Sequence, residues 1–448
     1  MSVLLAQGPA TARELMVKLA ISQPTLSRRL KALGAQVEAI GNARNRSYAL
    51  RRAVRQMGHT WPVFQLDASG QPNRWGELLA LHGGFRLRLD PPVSWLDQAY
   101  PEGMHTGLPF VLQDLAPQGF LGRAIAREIA PLLHVAEDPR EWNDDDRLAF
   151  MLHRGHDLPG NLVIGERMLA QALRAGLDAV RNAVPPGECQ EKYPLFAEAA
   201  LRGEIVGSSA GGEQPKFPAI IREGDGLLRH VLVKFSAADP SPIRQRWLDL
   251  LVCEHLAAQV IDRHGLPAVQ ARLLYGGSRR FLEVTRFDRT PAGGRQGVIS
   301  LGALVDGLVD ASCADWVEAA VALERARMIA PDTSRQLRWL WCFGDLIGNT
   351  DMHFGNVSFR LTANPPFELC PAYDMLPMAF APDRQGELRA PAFTPRPPLP
   401  SVADVWPQAA EAAQAFWTQV ETEALVSEEF RGLANACRQA VSRWQARR

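Results

Sequence analysis

The 448-residue sequence predicts an α+β protein headed by a winged helix-turn-helix. Two observations carry that expectation. Residues 1–55 hold ten Lys or Arg (Arg13, Lys18, Arg28, Arg29, Lys31, Arg44, Arg46, Arg51, Arg52, Arg55) against two acids, Glu14 and Glu38, and arrange them over two short helical patterns and two strand patterns. Beyond that head, strand-like runs such as 61–66 and 231–235 alternate with helical periodicities such as 121–133 and 247–260. The chain as a whole has zero formal charge, so the +8 of the head leaves −8 on the rest. A basic head on an acidic body points to a polyanion as the head's partner.

Within the head, residues 11–20 carry Leu15, Val17 and Leu19 in a helical pattern opened by Thr11 as N-cap, with Glu14 three residues on. Ser22 caps a second helix with Pro24 in its tolerant first turn, and Leu26, Leu30 and Leu33 at i, i+4 and i+7 form its inner face. This helix presents Gln23, Thr25, Arg28 and Arg29 for base edges and phosphates of duplex DNA. After Gly34, the strands 37–40 and 47–50 flank a basic turn that holds Arg44 and Arg46, a wing for the flanking backbone.

Length suggests about two to four domains, placed at 1–55, 56–186, 187–290 and 291–448. Residues 56–186 form an α+β accessory unit with strands at 61–66 and 85–89 and a helix at 121–133; Asp144, Asp145 and Asp146 read as the acidic start of a helix rather than as metal ligands. No apolar run approaches the roughly 18 residues of a membrane span, and Arg13, Glu14 and Lys18 interrupt any signal-peptide core. A cytoplasmic protein is expected, with no membrane partner. The six cysteines are scattered without a C-x-x-C pair and read as reduced core residues.

From residue 201 the pattern changes to a strand at 204–206, the Gly-rich segment 207–216 and a second strand at 217–221. Such a loop, with Gly211, Gly212 and Gln214, lets backbone N–H groups approach phosphates. Lys234 interrupts the apolar strand 231–235 and needs an anionic partner there. Glu254, on the helix 247–260, is a candidate acid for it, and strands at 271–275 and 280–285 complete a nucleotide-binding lobe.

The chemistry concentrates in residues 341–377. Leu337, Leu340, Trp341 and Gly344 give a buried helix over about 335–347, which Gly348 ends. A polar loop, Asn349 to Asn356, leads into a strand at 357–359, and a second strand at 367–369 delivers Asp374. Phosphoryl transfer needs a carboxylate beside the attacking hydroxyl, an amide oxygen and a second carboxylate on magnesium, and a lysine on the phosphates. Asp351, Asn356, Asp374 and Lys234 fit that layout. Residues 392–400 are Pro-rich and extended, and the chain ends in helices anchored by Trp406, Phe416, Trp417 and Trp444.

In combination the motifs are more specific. Ser209-x-x-Gly212-x-Gln214-x-Lys216, Arg286-Phe287-Asp288-Arg289, Asn349-Thr350-Asp351-x-His353-x-x-Asn356 and Tyr373-Asp374 resemble the HipA family of bacterial toxin serine/threonine kinases from about residue 60 to the C-terminus. The fused winged helix resembles its YjjJ-type branch. The resemblance implies a two-lobed kinase fold with an all-helical C-terminal lobe, use of ATP and Mg2+, a protein substrate, a small antitoxin partner and a place in a toxin–antitoxin system. It implies Asp351 as catalytic base, Asn356 and Asp374 as magnesium ligands, Lys234 on the phosphates and His353 orienting the loop. Ser209, or its neighbour Ser208, would be autophosphorylated. Thr285 and Phe287 would sit at the adenine hinge, where Thr285 replaces the family's usual Glu and puts nucleotide preference in question. Two rival readings are a metal-dependent nuclease or phosphodiesterase using Asp345, Asp351, His353 and Asp374, and a DNA-binding regulator with an inactive kinase-like body.

Overall fold

The computed structural model describes residues 1–42, 46–203, 214–309, 312–383, 385–388 and 393–445. In the head, Thr11 closes a reciprocal capping box: Glu14 N–H donates to Thr11 Oγ1 at 3.3 Å and Thr11 N–H donates to the Glu14 carboxylate at 2.8 Å. This starts the helix Ala12–Leu19. Ala20, at φ 50°, turns the chain into the helix Gln23–Leu33 with Pro24 in its first turn. Leu5, Leu15 and Leu26 close a small core. Two details differ from the sequence reading. Val17 is exposed, because two residues beyond Leu15 the helix faces away from that core. Ser22 occupies the N-cap position, but its hydroxyl pairs with that of Thr25 at 3.1 Å instead of with a backbone N–H.

The wing pairs Val37–Ile40 with Ser47–Leu50 in antiparallel register, and the short strand Ala10–Thr11 adds to the other edge. Arg44 lies outside the described residues, while Gln23, Arg28, Arg29 and Arg46 are exposed and Thr25 is half-buried. Not all of the head's charge faces outward. Arg51 donates to the buried Glu38 at 2.6 Å, Arg52 to Asp145 at 2.5 Å, and Arg55 pairs with Asp146. Glu38 also takes Arg86 at 2.6 Å. Arg52 and Arg55 are thus paired with acids of the body, whereas the Arg51–Glu38 pair lies within the head and is already balanced in its +8.

The body begins with a five-stranded antiparallel sheet in the order Met104–His105, Gly84–Leu89, Pro72–Leu81, Thr60–Leu66, Leu162–Ile164. The strand Pro72–Leu81 has no counterpart in the sequence reading. Its Glu77-Leu78-Leu79-Ala80 run has little strand preference of its own, and it is extended because partners pair with it on both sides. Asn143 and Asp146 form the capping box of the helix Asp144–Arg154, and the Asp144 carboxylate accepts from Leu108 N–H at 2.9 Å. The acidic triplet thus serves a helix start and three ion pairs, with Arg52, Arg55 and Arg147.

A second antiparallel sheet follows, ordered Ala271–Gly276, Arg279–Thr285, Leu228–Phe235, Lys216–Arg222. One face packs Phe217, Phe235 and Phe281 on Tyr193 of the helix Cys189–Leu201. The long helix Pro242–Arg263 packs on the sheet as well, with Leu251 against Leu282 and Val284. The last unit is helical: Leu301–Leu308, Trp316–Arg325, Pro331–Leu346, Trp406–Thr422 and Glu428–Gln445 enclose Phe343, Phe416 and Trp417. Trp406 is buried and Trp444 is half-buried. A short ribbon, Val298–Ser300 against Ser358–Arg360, is its only regular β pairing among the described residues. The strand expected at 367–369 is reduced to a single bridge between Phe359 and Leu369, since Pro365 and Pro366 leave too few residues to extend it. The architecture is the α+β arrangement expected, a winged helix followed by a body whose terminal lobe is helical.

All six cysteines are free, and no helix of the described residues is long and apolar enough to cross a membrane. The helix Pro331–Leu346 runs to the polar loop that begins at Asn349, and the fully buried Trp417 indole donates to Leu346 O at 3.0 Å. That carbonyl belongs to the last turn, which has no partner within the helix. Trp417→Phe should therefore lower stability by about 1–3 kcal/mol, measured as the shift of the urea midpoint at unchanged slope. An unshifted midpoint would show that the bond contributes nothing.

Candidate active site

Lys234 is the centre of the site. On the strand Leu228–Phe235 it points from the sheet toward the helical unit, and period-two alternation puts Leu232 on the same face. Its Nζ donates to Glu254 at 2.6 Å, from the helix Pro242–Arg263, and also to Asp374. Directly across the sheet, Lys216 is its register partner and is equally buried. Two lysines facing each other on neighbouring strands repel, so the local charge calls for anions. Burial opposes the Lys234 ammonium, but the Asp374 and Glu254 carboxylates more than compensate and hold its pKa above the usual value. Asp374 shows the mirror image: burial pushes its carboxyl up, and Lys234 and Lys216 bring it below the ordinary range. Glu254 stays raised, because burial and the nearby Asp374 outweigh what Lys234 returns.

Asp374 reaches this position with φ 54°, in the left-handed region that side chains other than Gly adopt at some strain. Asn349 steadies it by donating to Asp374 O at 3.4 Å, and its own side-chain oxygen accepts from Asp351 N–H at 3.0 Å. Asn356 donates through Nδ2 to Asp351 O at 2.7 Å. The polar loop is therefore closed on itself. His353 belongs to the same closure: its ring Nδ1 accepts from Gly355 N–H at 3.0 Å and its carbonyl accepts from Trp316 Nε1 at 3.2 Å.

These residues line a cleft of about 410 Å³. Lys216, Lys234, Asp351, His353, Asn356 and Asp374 form its polar end, and Leu232, Val269, Val284, Phe287 and Tyr373 line it elsewhere. Phe287 and Tyr373 meet at 5.6 Å between ring centres. Thr285 also lines the cleft, although its N–H already donates to Gln270 O and the next one, of Arg286, to His230 O, both at 2.9 Å. Gln214 is described and half-buried but lies outside the cleft lining, whereas Ser208, Ser209, Gly211 and Gly212 fall outside the described residues.

A second hollow of about 750 Å³ opens on the other side of the loop, lined by Asp315, Trp341, Thr350, Phe393 and Arg396 among others. Asp351 and His353 line both cavities. The exposed Asp351 carboxylate stands where the two meet.

The four residues of the metal-hydrolase reading do not share one cavity, for Asp374 lines the cleft and Asp345 the second hollow. Asp345 is held by Arg396, through its N–H at 3.1 Å and its Nε at 3.0 Å, and faces the second hollow. No group of three or more His, Cys, Asp or Glu side chains that could hold a metal forms among the described residues. Sequence reasoning also missed two contributors. Lys216 was visible only as the end of a motif, and its pairing with Lys234 emerges from strand register. Asp114, from the accessory unit, lines the cleft and accepts from Ser300 N–H and Oγ, each at 2.6 Å. Nothing in the local sequence marks it.

Three family models match the chain: the YjjJ-like toxin middle domain over residues 57–173, the HipA-like C-terminal domain over 208–444, and the arsR family of bacterial regulatory proteins over 3–36. The chain is 38% identical over 435 residues to Toxin YjjJ of Escherichia coli (strain K12), covering 96% of this chain and 94% of that protein. This chain belongs to the YjjJ-like branch of the HipA-like toxins. Among solved structures, a Shewanella oneidensis MR-1 toxin–antitoxin complex of HipA, HipB and operator DNA matches with a TM-score of 0.53 at 14% identity, covering 86% of this chain and 97% of that one, which shows a shared fold.

The charge balance of this YjjJ-like site has a measurable consequence. In the intact site, the depressed Asp374 carboxyl contributes stability that is present above its unfolded value and is lost as pH falls through the folded one. Lys234, raised, contributes below its unfolded value and loses that contribution as pH rises through the folded one. Lys234→Met leaves Glu254 and Asp374 without their shared cation, so both become harder to ionise than in the unfolded chain. The variant should lose about 3–5 kcal/mol near pH 7 and distinctly less near pH 4.5, where the carboxyls can protonate. Urea unfolding of both proteins at the two pH values measures this, and an equal deficit at both would remove the electrostatic explanation.

Proposed function

We propose that this chain is an ATP- and magnesium-dependent serine/threonine protein kinase, the toxin of a toxin–antitoxin pair, with a head that holds it on duplex DNA. The observation that carries the reading is the place of Asp351, between a cleft whose polar end has two buried lysines and a hollow open to solvent. ATP with magnesium would supply the transferable phosphoryl group. The residues fit such a ligand. Asp374 offers a carboxylate and Asn356 an amide oxygen, its nitrogen being used by Asp351 O, and hard oxygen donors suit magnesium. Lys216 and Lys234 would hold the phosphates, and Leu232, Val269 and Val284 the base. Asp351 would accept the proton of a Ser or Thr hydroxyl entering from the second hollow. His353 would act as a positioning residue, through the Gly355 and Trp316 contacts.

Asp351→Asn should lower phosphoryl transfer by about 10²–10⁴-fold while leaving nucleotide affinity near that of the parent, and Asp374→Asn should weaken magnesium-nucleotide binding as well. Labelled ATP with a lysate as acceptor, together with equilibrium binding, measures both. Undiminished transfer by Asp351→Asn would remove the assignment. Self-modification belongs to the same reading: active protein should carry phosphate at Ser209, or at Ser208, and the Asp351→Asn protein should not.

For the head, the match to a regulatory-protein family and the exposed Gln23, Arg28, Arg29 and Arg46 support DNA binding. The neighbouring HipA structure contains HipB and operator DNA, which supports a small antitoxin as partner here. Each phosphate contact contributes roughly 0.9 to the slope of log affinity against log salt. Replacing Arg28 and Arg29 by Ala should reduce that slope by up to about 2, whereas replacing Arg51 should leave it unchanged, because Arg51 is spent on Glu38. Fluorescence anisotropy of a labelled duplex between low and moderate salt reads both. A slope that falls with Arg51→Ala but not with the Arg28 and Arg29 pair would place the DNA on another face.

A further inference from the structure

A separate cavity of about 610 Å³ lies behind the hinge, walled by the helix Glu166–Asn182, the turn at 69–71 and the strands Lys216–Arg222 and Leu228–Phe235. On one side it meets a buried charge cluster to which the proposed phosphoryl transfer assigns no role. Asp288 accepts from Arg286 at 3.0 and 2.9 Å through its two oxygens, and from Arg289 at 2.7 Å. Asp157 accepts from Arg289 at 2.6 Å and lies 3.6 Å from Arg286. These two cations and two anions balance. Arg295 is a third cation, 7% exposed and lining the cavity. Its Nη2 donates to His156 O, but its buried Nη1 makes no hydrogen bond among the described residues.

A buried guanidinium without a full set of partners is costly. Burial, followed by repulsion from Arg289, pushes Arg295 down to about 9, so it stays charged at neutral pH. His230 lines the same cavity and adds no charge there, because burial and then Arg286 and Arg289 push it down to about 4. The cluster is thus one negative charge short. The remaining wall is largely apolar, with Leu66, Ala172, Ala179, Val184 and Phe196, and its neutral polar members are Ser69, Gln71 and Asn182.

We propose that this cavity is a binding site for a small monocarboxylate with an apolar tail, its carboxylate on Arg295 and its tail against the helix Glu166–Asn182. One charge is missing, so a monoanion balances the cluster and a phosphate dianion over-fills it. The volume lies within the roughly 300–1,000 Å³ of small-molecule sites. Arg286 lines both this cavity and the active-site cleft, so the two share a side chain. The proposal does not depend on the kinase reading.

Isothermal titration of the full chain with octanoate tests it. One equivalent should bind, Arg295→Met should weaken binding at least tenfold, and inorganic phosphate should not displace it. Gly176→Trp gives an independent check. Gly176 lines the cavity, and a Cβ there meets nothing within 4 Å, so an indole can occupy the tail space without crowding the backbone. It should weaken octanoate at least tenfold, and it decides the matter if Arg295→Met does not fold. No binding at millimolar octanoate, undiminished affinity in either folded variant, or displacement by phosphate would overturn the proposal.

Discussion

The fold is organised around one buried cation. Lys234 comes from the sheet, Glu254 from the helix packed on that sheet, and Asp374 from the helical unit, so a single ammonium fastens three elements by charge. A hydrophobic contact at this point could slide. An ammonium buried at 5% exposure cannot leave its carboxylates without a large desolvation cost, which fixes the distance between the two halves of the cleft. The repulsion between Lys216 and Lys234 acts in the same direction. Two cations in register on adjacent strands are acceptable only where acids, or phosphates, stand before them.

A similar logic governs the other junctions. Arg289 reaches Asp157 and the Gly160 carbonyl, joining the accessory unit to the segment that follows the strand Arg279–Thr285. Asp114 of the same unit caps the helix entry at Ser300 beside the cleft. The accessory unit is therefore one wall of the site, held by buried polar contacts whose specificity exceeds their net contribution to stability.

Much of this was legible in the sequence where a single element carries the signal. The apolar strand interrupted by Lys234, the helix that carries Glu254, and the order Asp351, Asn356, Asp374 are local patterns, and the structure brings all five side chains to one place. What escaped is non-local. Asp114 meets Ser300 across 186 positions of sequence, and Arg289 meets Asp157 across 132. Pairing across such separations leaves no period to detect. The strand Pro72–Leu81 escaped for a related reason: its residues tolerate helix, and two neighbouring strands overrule them. The pairing of head with body escaped likewise, because the sequence shows that Arg52 and Arg55 are basic but not that Asp145 and Asp146, some ninety positions on, wait for them.

Those two pairs change the picture of how head and body cooperate. A head on a flexible tether would bring the catalytic body near DNA without orienting it, and the tether's length would set the encounter. Here the chain passes from the wing into the body without such a tether. Arg51 bridges to Leu81 at the backbone, Arg52 N–H donates to Ala80 O at 3.1 Å, and His82 N–H donates to Leu50 O at 2.9 Å. Ile40 and Ala49 of the wing share a core with Leu79 and Leu81 of the body sheet. Beneath them the buried Glu38 takes a cation from each side, Arg51 and Arg86. A junction made of backbone pairing, apolar burial and a buried ion triad transmits orientation. On the reading proposed above, DNA that engages Arg28 and Arg29 thereby fixes the direction in which the hollow beside Asp351 opens, and an antitoxin or substrate on the same duplex would meet that hollow from a set side.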